Sequence, residues 1–268
     1  MTVRLAGVFA HPDDDSYVIG GTLLLHPGDI DLTLVFATSG EAGPISDPAL
    51  ATRETLGRVR ETEQRAFLGA VGYEGADVHF LRHPDYYLPE IPFEDIVREV
   101  ETILRGAAPH VVVTFGPEGM TSHHDHIRSA EAATEAFHRA RRGSSEGAFR
   151  WLYHAALGRS DVDRFYRGVR EGGFDYGEEG RLFDITGVPD DHIAVRVDTR
   201  AVRERKWEAI CRHRTQMDEH ERIPEPLRWI VLDSESFVQA HPTRGRGGPV
   251  RPDLIEDVSP MGVPEPRR

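Results

Sequence analysis

Val3-Arg4-Leu5-Ala6-Gly7-Val8-Phe9-Ala10-His11-Pro12-Asp13-Asp14-Asp15 is the stretch whose reading decides the fold. Residues 3–10 are largely apolar at even and odd positions alike, the pattern of a strand covered on both faces in a parallel sheet. The run stops at His11-Pro12, and Ser16–Leu25, with Gly20-Gly21 inside it, reads as a helix packed closely on that sheet. Outward from there the pattern repeats. Asp31–Ala37 is a second strand, followed by a Gly-, Pro- and Ser-rich loop from Thr38 to Ala51. Thr52–Val71 carries Leu56, Val59, Ala66, Phe67 and Ala70 at helical spacing. Asp77–Leu81 is a short strand, Phe93–Arg105 a helix, His110–Phe115 a buried strand and Ile127–Arg141 a long helix. Strands alternating with helices predict an α/β, Rossmann-like, doubly wound and mainly parallel sheet with helices on both faces.

Beyond Arg142 the pattern weakens. Arg150–Leu157 and His192–Val197 read as strands and Thr199–Arg214 as a helix, while Leu227–Ala240 mixes both signals. Residues 1–240 are expected to form one domain, and 241–268, rich in Pro, Gly and Arg, an extended arm. The 268 residues leave little room for a second full domain. With 32 Lys+Arg against 45 Asp+Glu the formal charge is −13, which repels phosphate backbones and anionic lipid, so neither nucleic acid nor membrane is an expected partner. Cys211 is the single cysteine, which excludes an intrachain disulfide and a Cys-rich metal site. No leader pattern or bilayer-length apolar run is visible, so a cytoplasmic protein is expected, with a homo-oligomer left open.

Ligands of such sheets bind at the carboxyl ends of the strands, near a reversal of strand order. The chemically unusual residues cluster there: His11 to Asp15 after the first strand, Thr38 to Glu41 after the second, His83-Pro84-Asp85 after the third and His123 to His126 after the fourth. A catalytic zinc takes three ligands from His, Asp or Glu and keeps one position open. The first and last of these patches supply suitable donors. Taken singly, each has an ordinary explanation, a helix cap with a structural histidine or a surface His-rich turn. Two such patches at strand ends of one sheet favour a metal centre.

Further matches make the chain resemble the LmbE/PIG-L family of metal-dependent de-N-acetylases, which act on N-acetylglucosaminyl conjugates. Ala10-His11-Pro12-Asp13-Asp14-Asp15 is similar to the family's Ala-His-Pro-Asp-Asp-Glu, and Thr38-Ser39-Gly40-Glu41-Ala42-Gly43 to its Thr-x-Gly-Glu-Ala-Gly. Arg60-Glu61-Thr62-Glu63, His123-His124-Asp125-His126 and Lys206-Trp207-Glu208-Ala209 with His213 and Gln216 follow in the family's order, across residues 3 to 240. The resemblance implies a Zn2+ centre, with Fe2+ or another divalent ion as the alternative, held by His11, Asp14 and His126. It further implies a metal-bound water as nucleophile, Asp13 as general base and His123 as an acid or oxyanion partner. Arg60 and Asp85 would meet sugar hydroxyls. Alternatively, Arg60 pairs with Glu61 or Glu63 on a solvated helix face. Asp15 stands where the family has Glu, and is expected to orient a ligand or cap the helix. His124 stands where it has Pro, so the preference for His126 over His124 rests on the resemblance.

The expected reaction is hydrolysis of an N-acetyl or other N-acyl amide on an amino-sugar-containing small molecule. An amidase acting on a sugar or thiol conjugate or an antibiotic intermediate is the nearest alternative. A non-catalytic sugar- or nucleotide-binding module is the alternative of another class, disfavoured because no Gly-x-Gly-x-x-Gly follows the first strand. The loop holding Ser39 and Glu41 is expected to close over the site, and His83, His110, His154 and His220 to be structural or exposed.

Overall fold

The structure, a computed structural model, describes residues 2–145, 147–174, 185 and 187–256. Seven strands, β1 (Val3–Phe9), β2 (Ile30–Phe36), β3 (Asp77–Phe80), β4 (Val111–Phe115), β5 (Trp151–Ala155), β6 (Ile193–Asp198) and β7 (Ser234–His241), form one sheet in the order β3-β2-β1-β4-β5-β7-β6. The first five run parallel, with β1 and β2 in register from Val3↔Ile30 to Phe9↔Phe36. β7 is antiparallel to both β5 and β6. The chain winds outward from β1 to β3, then restarts on the other side at β4. The crevice beyond the carboxyl ends of β1 and β4 is therefore the switch point where an open α/β sheet binds ligands.

The helices are α1 (Asp14–Val18), α2 (Gly20–Leu25), α3 (Leu56–Val71), α4 (Phe93–Ala107), α5 (Gly119–Ser122), α6 (His124–Arg141), α7 (Arg159–Glu171), α8 (Arg203–Ile210), α9 (Met217–Glu221) and α10 (Glu225–Leu232). α4 packs with α6, and α8 packs with α2 and α3. The core between these layers and the sheet includes Leu5, Phe9, Leu34, Phe36, Phe67, Val113, Phe137 and Tyr153. No described helix is long and apolar enough to cross a membrane.

Several elements differ from the sequence reading for identifiable reasons. The helix expected over 16–25 breaks at Ile19 and restarts as α2. The break follows from a distant carboxylate: Glu235 on β7 accepts from the backbone N–H groups of Gly21 (2.6 Å) and Thr22 (2.9 Å) and from the Thr22 hydroxyl (2.6 Å). Donors that a continuing helix would satisfy internally are satisfied from across the fold. Lys206 Nζ, fully buried, balances that carboxylate at 2.6 Å and also donates to the Tyr17 carbonyl (2.8 Å). α6 begins at His124, before the expected Ile127, because His123 is its cap, Nδ1 accepting from the Asp125 N–H at 3.2 Å. α7 was not foreseen, although Val162, Phe165, Tyr166 and Val169 follow helical spacing. The ambiguous 227–240 segment splits into α10 and β7.

The arm expected from 241 onward is partly built into the fold. Arg251 bridges Val195 of β6, and Leu254 and Ile255 are buried in the main core. Residues 257–268 lie outside the described residues.

Candidate metal centre and active site

β1 delivers His11 to the switch point, and Asp13 and Asp14 follow on the turn into α1. Asp13 has φ 114°, in the region L-residues avoid. Its conformation is held from several sides. Its N–H donates to Gln64 Oε1 (3.2 Å), its carbonyl accepts from the Ser16 N–H (2.9 Å), and its carboxylate accepts from Arg60 at 2.9 Å. Strain of this kind persists where surrounding contacts over-determine it. Arg60 and Gln64, one turn apart on α3, share the face that meets this turn.

From the other side of the crevice, α6 brings His126. Its ring stacks on Phe115 at 4.2 Å between centroids and 8° between planes, and Nδ1 lies 3.0 Å from the Gly119 carbonyl. A carbonyl only accepts, so Nδ1 carries the proton and Nε2 offers a lone pair. His11 shows the mirror arrangement: Nε2 lies 3.0 Å from Asp85 Oδ1 and 3.5 Å from Asp125 Oδ2, which leaves the Nδ1 lone pair facing inward. The two inward nitrogens are 3.2 Å apart. Asp14 closes the triangle, Oδ1 lying 3.3 Å from His126 Nε2 and Oδ2 lying 3.7 Å from His11 Nδ1.

Two lone pairs and a carboxylate turned on one another repel unless a positive charge sits among them. Atoms about 2 Å from a tetrahedral zinc lie roughly 3.3 Å apart, close to these separations. The donor set, two outer N–H groups fixed by acceptors and one carboxylate, fits a divalent cation. The same surroundings favour positive charge, carried by a proton where no metal is held. Burial lowers the His11 pKa, but its hydrogen bonds to Asp125 and Asp85 and the charge of Asp14 outweigh it and raise it to about 10. Burial also opposes ionisation of Asp14, yet the charge and hydrogen bond of His126 hold its carboxyl well below the usual range.

Among the described residues, His11, His123 and His126 also bring donor atoms within 4.8 Å of one another. His123, however, accepts the Asp125 N–H on Nδ1, so its proton sits on Nε2, which makes that nitrogen a hydrogen-bond donor. Burial and the neighbouring His11 and His126 lower its pKa to about 4. His124 is turned outward, its Nε2 2.7 Å from the Tyr86 carbonyl and its side chain 40% exposed. Asp13 is raised to about 7, pushed up by burial against the pull of Arg60.

Other expected site residues take different positions. Asp85 lines the cavity, with Oδ1 facing His11 and Oδ2 accepting from the Ala42 N–H at 2.8 Å. Arg60 is neither solvated nor paired with Glu61 or Glu63. It is buried and donates to Asp13, the Pro12 carbonyl (2.7 Å) and the Gly40 carbonyl (2.9 Å). Gly40 has φ +66°, and a Cβ there would come 2.4 Å from the Arg60 guanidinium, which explains the glycine in that motif. Asp15 caps nothing. It is fully buried, accepts from Gln64 Nε2 at 2.8 Å, and burial raises it to about 8. The loop expected to close over the site is pinned, Ser39 donating to Glu61 (2.7 Å) and Glu41 accepting from the Asp85 N–H (2.9 Å).

Sequence reasoning missed three participants. Asp125 sits inside a motif that was read, but its role needed the fold. Its oxygens accept the N–H groups of Tyr86 (2.7 Å) and Leu88 (3.1 Å), fixing the loop after β3 beside His11. Gln64 was legible as the residue one turn beyond Arg60. His220, expected to be structural or exposed, is buried with Nδ1 3.0 Å from the Tyr17 hydroxyl and also lines the cavity, a position that no local signal marked. The cavity over the centre has a volume of about 550 Å³, within the range of small-molecule sites.

Comparisons with known proteins agree with this architecture. The PIG-L family model, described as GlcNAc-PI de-N-acetylase, matches residues 7–137. The 1D-myo-inositol 2-acetamido-2-deoxy-alpha-D-glucopyranoside deacetylase of Saccharomonospora viridis is 31% identical over 237 residues, covering 78% of this chain and 84% of the relative. Among solved structures, the N,N'-diacetylchitobiose deacetylase of Pyrococcus horikoshii superposes with a TM-score of 0.63 at 20% identity, over 88% of this chain and 83% of that one. GalB, the 4-carboxy-2-hydroxymuconate hydratase of Pseudomonas putida KT2440, does so at 0.61 and 18%, over 93% and 100%. At such identities the likeness speaks for the fold, which serves more than one chemistry. The match over the first half and the relative spanning most of the length place the chain in one family: it belongs to the PIG-L (LmbE) family.

Proposed function

We propose that the protein is a divalent-metal-dependent N-deacetylase that hydrolyses the acetamide of an amino-sugar-containing small molecule. The observation that carries this reading is the inward triangle of His11 Nδ1, His126 Nε2 and Asp14 at 3.2, 3.3 and 3.7 Å, with both outer imidazole N–H groups already committed. A divalent ion held there, zinc or iron(II), supplies Lewis-acid polarisation of the amide carbonyl and lowers the pKa of water. Asp13 takes the proton of the attacking water and passes it to the departing nitrogen, its carboxylate aimed by Arg60. His123 donates its Nε2–H to the carbonyl oxygen as negative charge develops there. Asp85 and Asp125 act through His11, fixing its tautomer. The acetamido-sugar class follows from family membership and from the substrate named for the Saccharomonospora viridis relative.

The test is a panel of N-acetylglucosamine, its inositol conjugate and N,N'-diacetylchitobiose, incubated with chelator-treated protein reloaded with zinc or iron(II). Free primary amine is expected from at least one of them, only after reloading. No amine from any of them, with metal bound stoichiometrically, would overturn the reading.

A further inference from the structure

The cavity over the metal centre has two chemically different ends. One end holds His11, Asp13, Asp14, His123 and His126. The other is walled by Val162, Phe165 and Tyr166 of α7, Ile223, and Ile230 and Val231 of α10. On α7, Val162, Phe165, Tyr166 and Val169 form a single stripe at i, i+3, i+4 and i+7. Part of it is used in packing: Phe165 and Val169 are buried with Ile223 and Leu227 in a cluster separate from the main core. Gly168 lets α10 approach, since a Cβ there would fall 2.5 Å from Leu227 Cδ2. Tyr166, Ile230 and Val231 pack against this cluster, and with Val162 they stay half-buried and line the cavity.

Two carboxylates that line the cavity near this wall are already engaged. Asp161 is held by Arg196 (2.7 Å) and Arg164 (3.0 Å), and Glu235 by Lys206 (2.6 Å) and the start of α2. A polyol placed against it would lose hydrogen bonds to water and gain few in return. An apolar group placed there would leave water at no such cost and complete the stripes.

We infer that this end of the cavity is a subsite for an apolar portion of the substrate, an alkyl or aryl group joined to the amino sugar. The inference rests on the deacetylase reading above and narrows its substrate class to amphiphilic conjugates. The apolar group comes from one of two sources, the aglycone or the acyl chain.

Two series separate these sources with the zinc-loaded full-length protein. One holds the N-acetyl group constant and lengthens the aglycone of N-acetylglucosamine from methyl to octyl, in both anomers. The other holds free glucosamine constant and lengthens the N-acyl chain from acetyl to octanoyl. In one series kcat/KM is expected to rise up to about fourfold per buried methylene until the wall is covered, and that series names the side. Ile230→Lys and, separately, Val162→Asp should flatten the rise, with metal content and circular dichroism confirming the fold. Hydrolysis of N-acetylglucosamine with no gain in either series would overturn the subsite and leave the deacetylase reading standing. Calorimetric binding of the same compounds decides the matter even where nothing is hydrolysed. Affinity that grows with chain length supports the subsite while the activity fails, and affinity independent of chain length overturns it.

Discussion

Residues 3–141 and residues 151–241 build the same sheet by different means, and the contrast explains where the chemistry sits. In the first region parallel strands end in turns whose side chains hold one another through charge and hydrogen bonds: Arg60 on Asp13, Asp85 and Asp125 on His11, Gly119 on His126. In the second, antiparallel pairing and two amphipathic helices contribute an apolar wall, with ion pairs such as Asp161–Arg196 beside it. One region holds each catalytic side chain through contacts from several elements, as catalysis needs. The other shapes a volume, which suits selecting what enters.

The contrast is broken most directly by removing a donor from the inward triangle. Asp14→Ala or His126→Ala should lose the metal, measured by elemental analysis, and activity should fall by roughly a thousandfold or more. Stoichiometric metal in either variant would reject that residue as a ligand. Asp13→Asn sharpens the assignment of roles. It should keep the metal while kcat falls roughly 10²- to 10⁴-fold, and near-normal turnover would remove Asp13 as the base. Asp125→Asn should weaken metal affinity about 10- to 100-fold, read by competition with a chelating dye; unchanged affinity would make Asp125 a loop anchor only.

Smaller effects probe how the two regions are joined. Lys206→Met leaves Glu235 buried and charged between β7 and α2, and should cost about 3–5 kcal/mol of stability in urea unfolding. A loss under 1 kcal/mol would mean that the pair is not needed to hold α1 and α2 against the second region. The smallest expected effect is a pH slope. Burial lowers His154 to about 4 and His220 to about 3, and drives His213 well below its ordinary value. In the unfolded chain these groups titrate near 6.5, so between about pH 6.5 and 4 the unfolded state binds more protons. The stability that these three histidines contribute is therefore complete above about pH 6.5 and is lost as the solution is acidified. Replacing His154 with Gln should make that decline shallower, by about 1.4 kcal/mol per pH unit at most. An unchanged slope would remove His154 as a contributor.

The parallel half was legible in the sequence because its signals are local. Strands buried on both faces, such as Val111–Phe115, announce themselves without context. The turn residues after them stood out as a pair, since two His- and Asp-bearing patches lie at strand ends of one sheet while either alone has an ordinary explanation. What escaped was set by distant partners. The break at Ile19 depends on Glu235, more than 200 residues away, and the placement of Asp85 behind His11 depends on how the loop after β3 folds back. α7 could have been found from its apolar stripe, but no motif drew attention to it. Arg60 was legible as important, while its direction, toward Asp13 and away from solvent, was a property of helix packing.

The bridge between Val195 and Arg251 bears on a different matter, the fate of the sheet's outermost strand. β6 would otherwise present open N–H and C=O groups along its free side, a template on which strands of other molecules add. The chain's own later residues occupy part of it: Arg196 donates its N–H to the Arg251 carbonyl and Arg251 donates its N–H to the Ala194 carbonyl, both at 2.9 Å. The opposite margin, β3, is only four residues long. Short on one side and covered on the other, the sheet offers little purchase for aggregation, and a chain cut before Arg251 would be expected to precipitate before it lost its chemistry.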